Sequence, residues 1–497
     1  MGLFSYIKHK ETSIFTKKNR KVWLPILCAI LLGGIVVWLI FATPPSDSDF
    51  LFDPGQAGQT DQTNQGGQSG NQQQTGSGEG GSLVIYIDPW FEATLREAVR
   101  RFEAEFPDVE VIIHEFDGSD INERYNNFVQ ALSNDLLVGR GPDVIVWGTD
   151  VFDDFIKTVY HSGIFLDLEP LMRDDPEFSH NDYFQNIFDA GLHGGRRLFV
   201  PIDFTMPILM TTEEILDANN LTLSPNPDFD ELMDVISLFI EAEDPRWQRR
   251  VFEHPRRSLL AWSGIEVLDY ENYTVNVRGE DFRTLMEAYK TIYSHSILTP
   301  PQDLDWRDSF AEKLLLDQQI LFSFIFNPTF LRTYATVSTD ATPVWFPFPT
   351  VTNEVVGTPA HRAGIRNNSR NIENAYEFLK VLLDEQFQHH VIARAFDMWS
   401  FPVNRVALRT SFEELVLNTY NTGTWSSYAQ VAMTTVPDTV VNSLIIMADN
   451  AIALQYPSAR IINRIVNEEM TPFFRGERSY EDCLDLLENK LLVYVGE

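Results

Sequence analysis

Two tryptophans stand beside carboxylates where strand-like runs end. Asp88 and Trp90 flank Pro89 after the apolar run Leu83–Ile87, and Trp147 is followed by Gly148, Thr149 and Asp150. The pairing suits a sugar: an indole covers the apolar C–H face of a pyranose, and an ionised carboxylate accepts strong hydrogen bonds from its hydroxyls. By residue type alone, each tryptophan would serve a hydrophobic core equally well. Aromatic rings with carboxylates also suit a polyamine or another organic cation, through cation–π contact.

Patterns for catalysis are missing. The chain has no G-x-S-x-G, no H-E-x-x-H and no G-x-x-x-x-G-K-[ST] phosphate loop. Carboxylates abound, yet no spacing singles out a glycosidase-like pair. His114, His193, His361 and His389–His390 are scattered rather than set at metal-ligand spacing, and they read as surface or capping residues. Cys28 and Cys483 cannot make a disulfide framework, and Cys483, between Asp482 and Leu484 in a helical pattern, reads as a small core filler. No enzyme, cofactor or metal site is expected.

The elements that must position these residues begin at Ser82. Leu83–Ile87 is a short branched run of the kind found in buried parallel strands. A helical pattern then spaces Leu95, Val99, Phe102 and Phe106 on one face, and Pro107 ends it. A second strand (VEVIIHEF), a second helix (INERYNNFVQALSNDLL), the turn Gly139–Pro142 and a third strand (DVIVW) follow. Such alternation predicts an α/β domain with a mostly parallel sheet. Ligands bind such sheets outside the carboxyl ends of the strands, which selects Asp88, Trp90, Trp147 and Asp150.

The 497 residues are 44% apolar and 22% charged, a balance that can fill more than one core. A net charge of -33 makes nucleic acid a poor partner. Residues 1–21 nevertheless hold Lys8, Lys10, Lys17, Lys18, Arg20 and Lys21 against Glu11 alone. The uncharged run from Val22 to Ala42 comes next; as a helix it crosses a hydrocarbon core of ~30 Å. Its basic flank predicts a cytoplasmic tail and an extracellular remainder. Ile40-Phe41-Ala42 is a mediocre cleavage site and Cys28 sits early in the run, so an uncleaved anchor in the lipid bilayer is expected rather than a signal peptide or a lipid anchor. Residues 43–81, rich in Gly, Gln and Ser, read as a flexible, disordered linker, with an end-to-end distance of roughly 35 Å.

Gly139–Met172 (GRGPDVIVWGTDVFDDFIKTVYHSGIFLDLEPLM) resembles the signature segment of extracellular solute-binding proteins of the maltose-binding type, family 1 of the ABC-importer substrate-binding proteins. Further landmarks recur in the family's order. Gly194–Leu216 resembles the crossing into a second lobe, with Thr211-Thr212 where the family writes tyrosine-asparagine. Asn226–Ile236 is similar to a helix start, with Phe229 for the usual tryptophan, and Asp317–Phe330 to a strand and loop. Val344–Pro349 resembles a hinge approach, Asn368–Gln388 a lobe helix, Phe401–Arg405 a return crossing and Phe473–Leu491 the terminal helix, with Cys483 where alanine is common.

The resemblance implies a two-lobed periplasmic-binding-protein-like fold of type II. With crossings near Val200–Phe204, Phe348–Val351 and Phe401–Val403, one lobe is 82–202 plus 352–402 and the other 203–351 plus 403–497. It also implies a small-molecule solute, an oligosaccharide by class, held in the cleft, and delivery to ABC permease subunits with a separate ATPase. Lobe closure follows from a ligand that touches both lobes only when they are closed. The residues carried over are Trp147 and Asp150 as stacking ring and hydroxyl-binding carboxylate, then Asp88 and Trp90, Asp203 just past the first crossing, and Asn327 and Phe330 in a loop. Trp262 and Trp399 are added as cleft or core aromatics, and Trp345 is expected to pack. The alternatives are the same fold around a polyamine or other organic solute, a sensory domain without transport, and, more distantly, a carbohydrate-active enzyme.

Overall fold

The computed structural model describes residues 81–89, 91–148, 163–242, 250–252, 263–270, 272–293, 311–325, 329–393, 400–414, 416–417, 434–435, 437–454 and 460–496, with Leu260 and His295. The basic tail, the apolar run 22–42 and the linker up to residue 80 lie outside them. Among the described residues, no helix is long and apolar enough to cross a membrane.

The predicted alternation is present. Strand β1 (Ser82–Ile87) leads to helix α1 (Glu92–Glu105), β2 (Glu110–His114), α2 (Ile121–Leu137) and β3 (Val144–Gly148). Helix α1 stops just before Phe106-Pro107 and buries Leu95, Val99 and Phe102, the face its spacing predicts. Helix α2 starts where Asp120 accepts the Glu123 N–H and Glu123 reaches back to the Ser119 N–H, a reciprocal cap.

Later segments complete this sheet and found a second one. Strands β4 (Val200–Thr205) and β5 (Ile208–Thr212) are separated only by Met206 and Pro207. Helix α3 (Phe229–Glu241), β6 (Arg250–Phe252), α4 (Glu280–Tyr293), β7 (Ile320–Ile325) and β8 (Pro343–Pro347) follow. Then come β9 (Thr358–Ile365), α5 (Ile372–Leu383), β10 (Phe401–Pro402) and α6 (Arg405–Glu414). The six-stranded sheet runs β10-β4-β9-β3-β1-β2, and the four-stranded sheet runs β8-β5-β7-β6.

In the larger sheet β1 is parallel to β2 and β3, while β9 lies antiparallel between β3 and β4. The chain therefore passes between the sheets at β4–β5 and returns between β8 and β9, and β10 pairs on the outer edge of β4 before α6. The architecture is mixed α/β, with the predicted parallel core carrying antiparallel additions.

The quoted motifs act largely as joints. In the Gly139–Asp143 turn, the buried Asp143 carboxylate accepts from the Val84 N–H (2.9 Å), the Ser369 hydroxyl (2.6 Å) and the Asn371 amide (3.1 Å). It thus ties the starts of β1, β3 and α5. At α3, Asp228 caps the Glu231 N–H (2.8 Å) and the Asn353 side chain accepts the Phe229 N–H (3.1 Å), with Phe229 buried in the tryptophan position. Cys483 is a fully buried filler, as its setting predicts.

Candidate ligand-binding site

The carboxyl ends of β1 and β3 meet the neighbouring strands in one row of paired positions. Gly148 at the end of β3 sits opposite His361 of β9, His361 sits opposite Asp203 of β4, and Asp203 sits opposite Pro402 of β10. The β4–β9 pairing shifts register on both sides of His361. Such irregularities re-aim a side chain out of the regular pleat.

The chemistry of the row centres on His361. Its backbone N–H donates to Asp203 Oδ1 (2.7 Å), and its ring Nδ1 lies 2.9 and 2.8 Å from the two carboxylate oxygens of the same aspartate. The Ser400 hydroxyl, just before β10, donates to Asp203 Oδ2. Phe91, at the start of α1, stacks on the imidazole at 4.1 Å between ring centres. Asp88 closes the row: its Oδ2 accepts from the Gly148 N–H at 3.4 Å. A methyl group added at Gly148 would stand 3.1 Å from that oxygen, a tight contact, and 3.7 Å from His361 Cδ2, an ordinary one.

Burial opposes charge on His361, but Asp203, by charge and by hydrogen bond, and Asp88 by charge outweigh it and raise the histidine above its ordinary 6.5. Asp203 is 1% exposed, whereas the His361 side chain keeps 18%. The arrangement can therefore offer a polarised ring nitrogen at a strand-end edge, backed by carboxylates.

The structure places the expected site residues unevenly. Asp88 and Asp203 come together around His361, although Asp203 gives its carboxylate to His361 and Ser400. Trp147 is 3% exposed and stacked on Phe165 (5.2 Å), in a core shared with Ile145, Tyr86 and Phe128. Phe330 is fully buried against Trp345 (5.0 Å), which packs as expected. Trp90, Asp150, Trp262, Asn327 and Trp399 lie outside the described residues, although Trp90 precedes Phe91 and Trp399 precedes Ser400 in the chain.

Two histidines correct the surface-or-capping expectation. His361 belongs to the site, and His193 is buried beside Phe199. The one signal available for His361 was the polar pair His361–Arg362 inside the strand run TPAHRAGI. Among the described residues, no group of His, Cys, Asp and Glu could hold a metal ion.

Comparison with known proteins gives the family and the fold. The family model for bacterial extracellular solute-binding proteins matches residues 88–389, more than half of the chain. No curated protein matches the sequence. Among solved structures, the sugar-binding protein MalE of Xanthomonas citri aligns at a TM-score of 0.60 and 15% identity, over 84% of this chain and 97% of its own. The cyclic alpha-maltosyl-1,6-maltose binding protein of Arthrobacter globiformis aligns at 0.56 and 13%, over 83% and 98%. The GacH receptor of Streptomyces glaucescens, whose structures include a complex with acarbose, aligns at 0.52 and 15%, over 84% and 100%. At these identities the likeness is one of fold, and the fold is the two-lobed one of solute-binding proteins.

Proposed function

Because the chain belongs to the bacterial extracellular solute-binding protein family, we propose that it captures a carbohydrate, an oligosaccharide by class, in the cleft between its two lobes. It hands that sugar to the permease subunits of an ABC importer, whose ATPase is a separate chain. The observation that carries this reading is the strand-end row of Asp88, His361 and Asp203 with Phe91 stacked on the imidazole. It places polar groups where sheets of this class receive ligands. The fold likenesses to a sugar-binding protein and to an acarbose-binding receptor point the same way.

A polyamine is the less fitting occupant. The Asp203 carboxylate already faces His361 and Ser400, and a cationic His361 repels an ammonium. We assign the lobes as 82–205 plus 352–402 and 206–351 plus 403–497; the first division falls after Thr205 rather than at 202/203, because the whole of β4, Asp203 included, pairs within the larger sheet. The stacking surface that a sugar needs falls to Trp90, Trp262 and Trp399, with Asp150 and Asn327 as polar contacts. Binding without turnover is the expected chemistry.

Thermal-shift screening of the full chain against maltose, maltotriose, longer maltodextrins, other oligosaccharides and polyamines tests the reading. A sugar present at a hundred times its Kd stabilises by about 2.7 kcal/mol and raises the melting temperature accordingly. A response to polyamines alone, or to no sugar, overturns it.

The tether is part of the same proposal: Val22–Ala42 spans the membrane and residues 43–81 give the binding domain roughly 35 Å of reach. The full chain is then expected to stay with membranes through alkaline carbonate extraction, whereas a chain starting at residue 43 is released. Release of the full chain would remove the anchor from the proposal.

A further inference from the structure

Asp203 is almost wholly enclosed, yet its carboxylate accepts from two segments that are remote in sequence: the backbone and ring of His361 on β9, and the Ser400 hydroxyl before β10. A carboxylate has no proton to give, so His361 Nδ1 must be the donor. Donation fixes the ring twice, in orientation and in tautomer, as in other histidines whose second nitrogen does the work. Phe91 covers a ring face at 4.1 Å. With Nδ1 held by Asp203, the nitrogen left for a ligand is Nε2, on a side chain that keeps 18% exposure at the strand-end row.

We propose that Asp203 is the positioning residue of the binding site, holding His361 with Nδ1 inward so that Nε2 is offered to a hydroxyl of the bound sugar. The proposal rests on the carbohydrate reading for its ligand, but not for the Asp203–His361 geometry. It also moves Asp203 from ligand contact to orienting group.

The groups facing the imidazole set its proton. Asp203 from β4 and Asp88 from the end of β1 favour the cation, while Arg362 of its own strand, whose guanidinium lies over Phe199, opposes it. Gly148 from β3, Phe91 from the start of α1 and Ser400 from the approach to β10 do not titrate. While the ring is charged, Nε2–H is a charge-assisted donor to a sugar oxygen; once the proton leaves, the same atom is a neutral acceptor. Sugar affinity is therefore expected to weaken, by about 3- to 10-fold, as pH rises through the raised histidine pKa.

Two measurements on the full-length protein in detergent decide the matter. The first is a histidine ¹⁵N titration without sugar, from about pH 5 to about pH 10, with the His361 signals assigned by their loss in His361→Gln. Nδ1 is expected to stay protonated throughout while Nε2 titrates above the ordinary histidine value, and Asp203→Asn is expected to lower the midpoint by about one unit or more. An Nδ1 that loses its proton in the wild-type protein overturns the proposal even if Asp203→Asn does not fold. An unchanged midpoint in a folded Asp203→Asn overturns it as well.

The second measurement is the Kd for maltotriose, or for the sugar that gives the largest thermal shift, against pH. Its inflection should coincide with the His361 midpoint and vanish in His361→Gln. A flat wild-type profile overturns the Nε2 contact. Failure of every sugar to bind overturns the carbohydrate reading and the hydroxyl contact together, while the sugar-free titration still decides the role of Asp203.

Discussion

Arg197→Ala is expected to lower the stability of the binding domain by about 2–3 kcal/mol, the cost of an orphaned buried carbonyl together with the lost packing of a large buried side chain. The Arg197 side chain is 2% exposed, and each of its three guanidinium nitrogens donates a hydrogen bond. Nε donates to Glu169 (2.9 Å), Nη2 to Asp189 (2.9 Å) and Nη1 to the Phe188 carbonyl (2.6 Å), and the group lies 4.5 Å over the Phe188 ring. Glu169 and Asp189 are partly exposed and can rehydrate when the arginine is gone. The loss therefore falls on the Phe188 carbonyl, the apolar stem and the void that remains. Lysine concentrates its three donors on one compact ammonium where a planar fork reaches three separate acceptors, so Arg197→Lys should recover only a minor part. Arg196, its exposed neighbour, is the control: Arg196→Ala should stay within about 0.5 kcal/mol. Urea midpoints of the three variants check this, and equal midpoints for Arg197→Ala and Arg196→Ala would refute it.

This arginine shows how far the sequence can be read. GGRRLFVP was recognisable as the approach to a crossing, but which of two adjacent arginines turns inward depends on the hairpin that Gly194 and Gly195 close with φ of 56° and 77°. Strand and helix periods told the layers of the first sheet, because Leu95, Val99 and Phe102 repeat at helical spacing. The strand that carries Trp147 was harder. Val144, Ile145, Val146 and Trp147 are all buried, so no polar alternation marks which side each faces. Trp147 in fact shares a core with Ile145.

His361 was illegible for a different reason. Its partner Asp203 is 158 positions away, and only the register of β4 against β9, with its two shifts, brings them together. A slip by one residue would have turned His361 to the other face. Asp203 could be placed near a crossing from its neighbours in the chain; its hydrogen-bond partners could not.

His193, in the same hairpin as Arg197, should make the domain lose stability as pH falls. Burial pushes its pKa down to about 3, and the Arg362 charge adds to that, although a hydrogen bond with the Ala190 backbone pulls the other way. The folded value lies below the unfolded value of 6.5, so the unfolded chain binds the extra proton. The contribution to stability is complete above pH 6.5 and declines as pH drops towards 3. Each unit is worth 1.36 kcal/mol, so about 3 kcal/mol should be lost between roughly pH 6.5 and pH 4.

His361 has the opposite sign. Its folded pKa is raised, so its contribution is present below 6.5 and is lost as pH rises through the raised value. The two histidines therefore act on different sides of 6.5. Carboxylates held low by ion pairs, such as Glu92 with Arg96 and Arg124, add to the acid loss below the ordinary carboxylate range. The His193 share is isolated by comparing urea midpoints of the wild-type protein and His193→Gln from about pH 7 to about pH 4. The variant starts less stable, because glutamine fits the cavity beside Phe199 less well, but its stability should fall less steeply with acid. Parallel profiles would mean that His193 takes up its proton in the folded state as readily as in the unfolded chain.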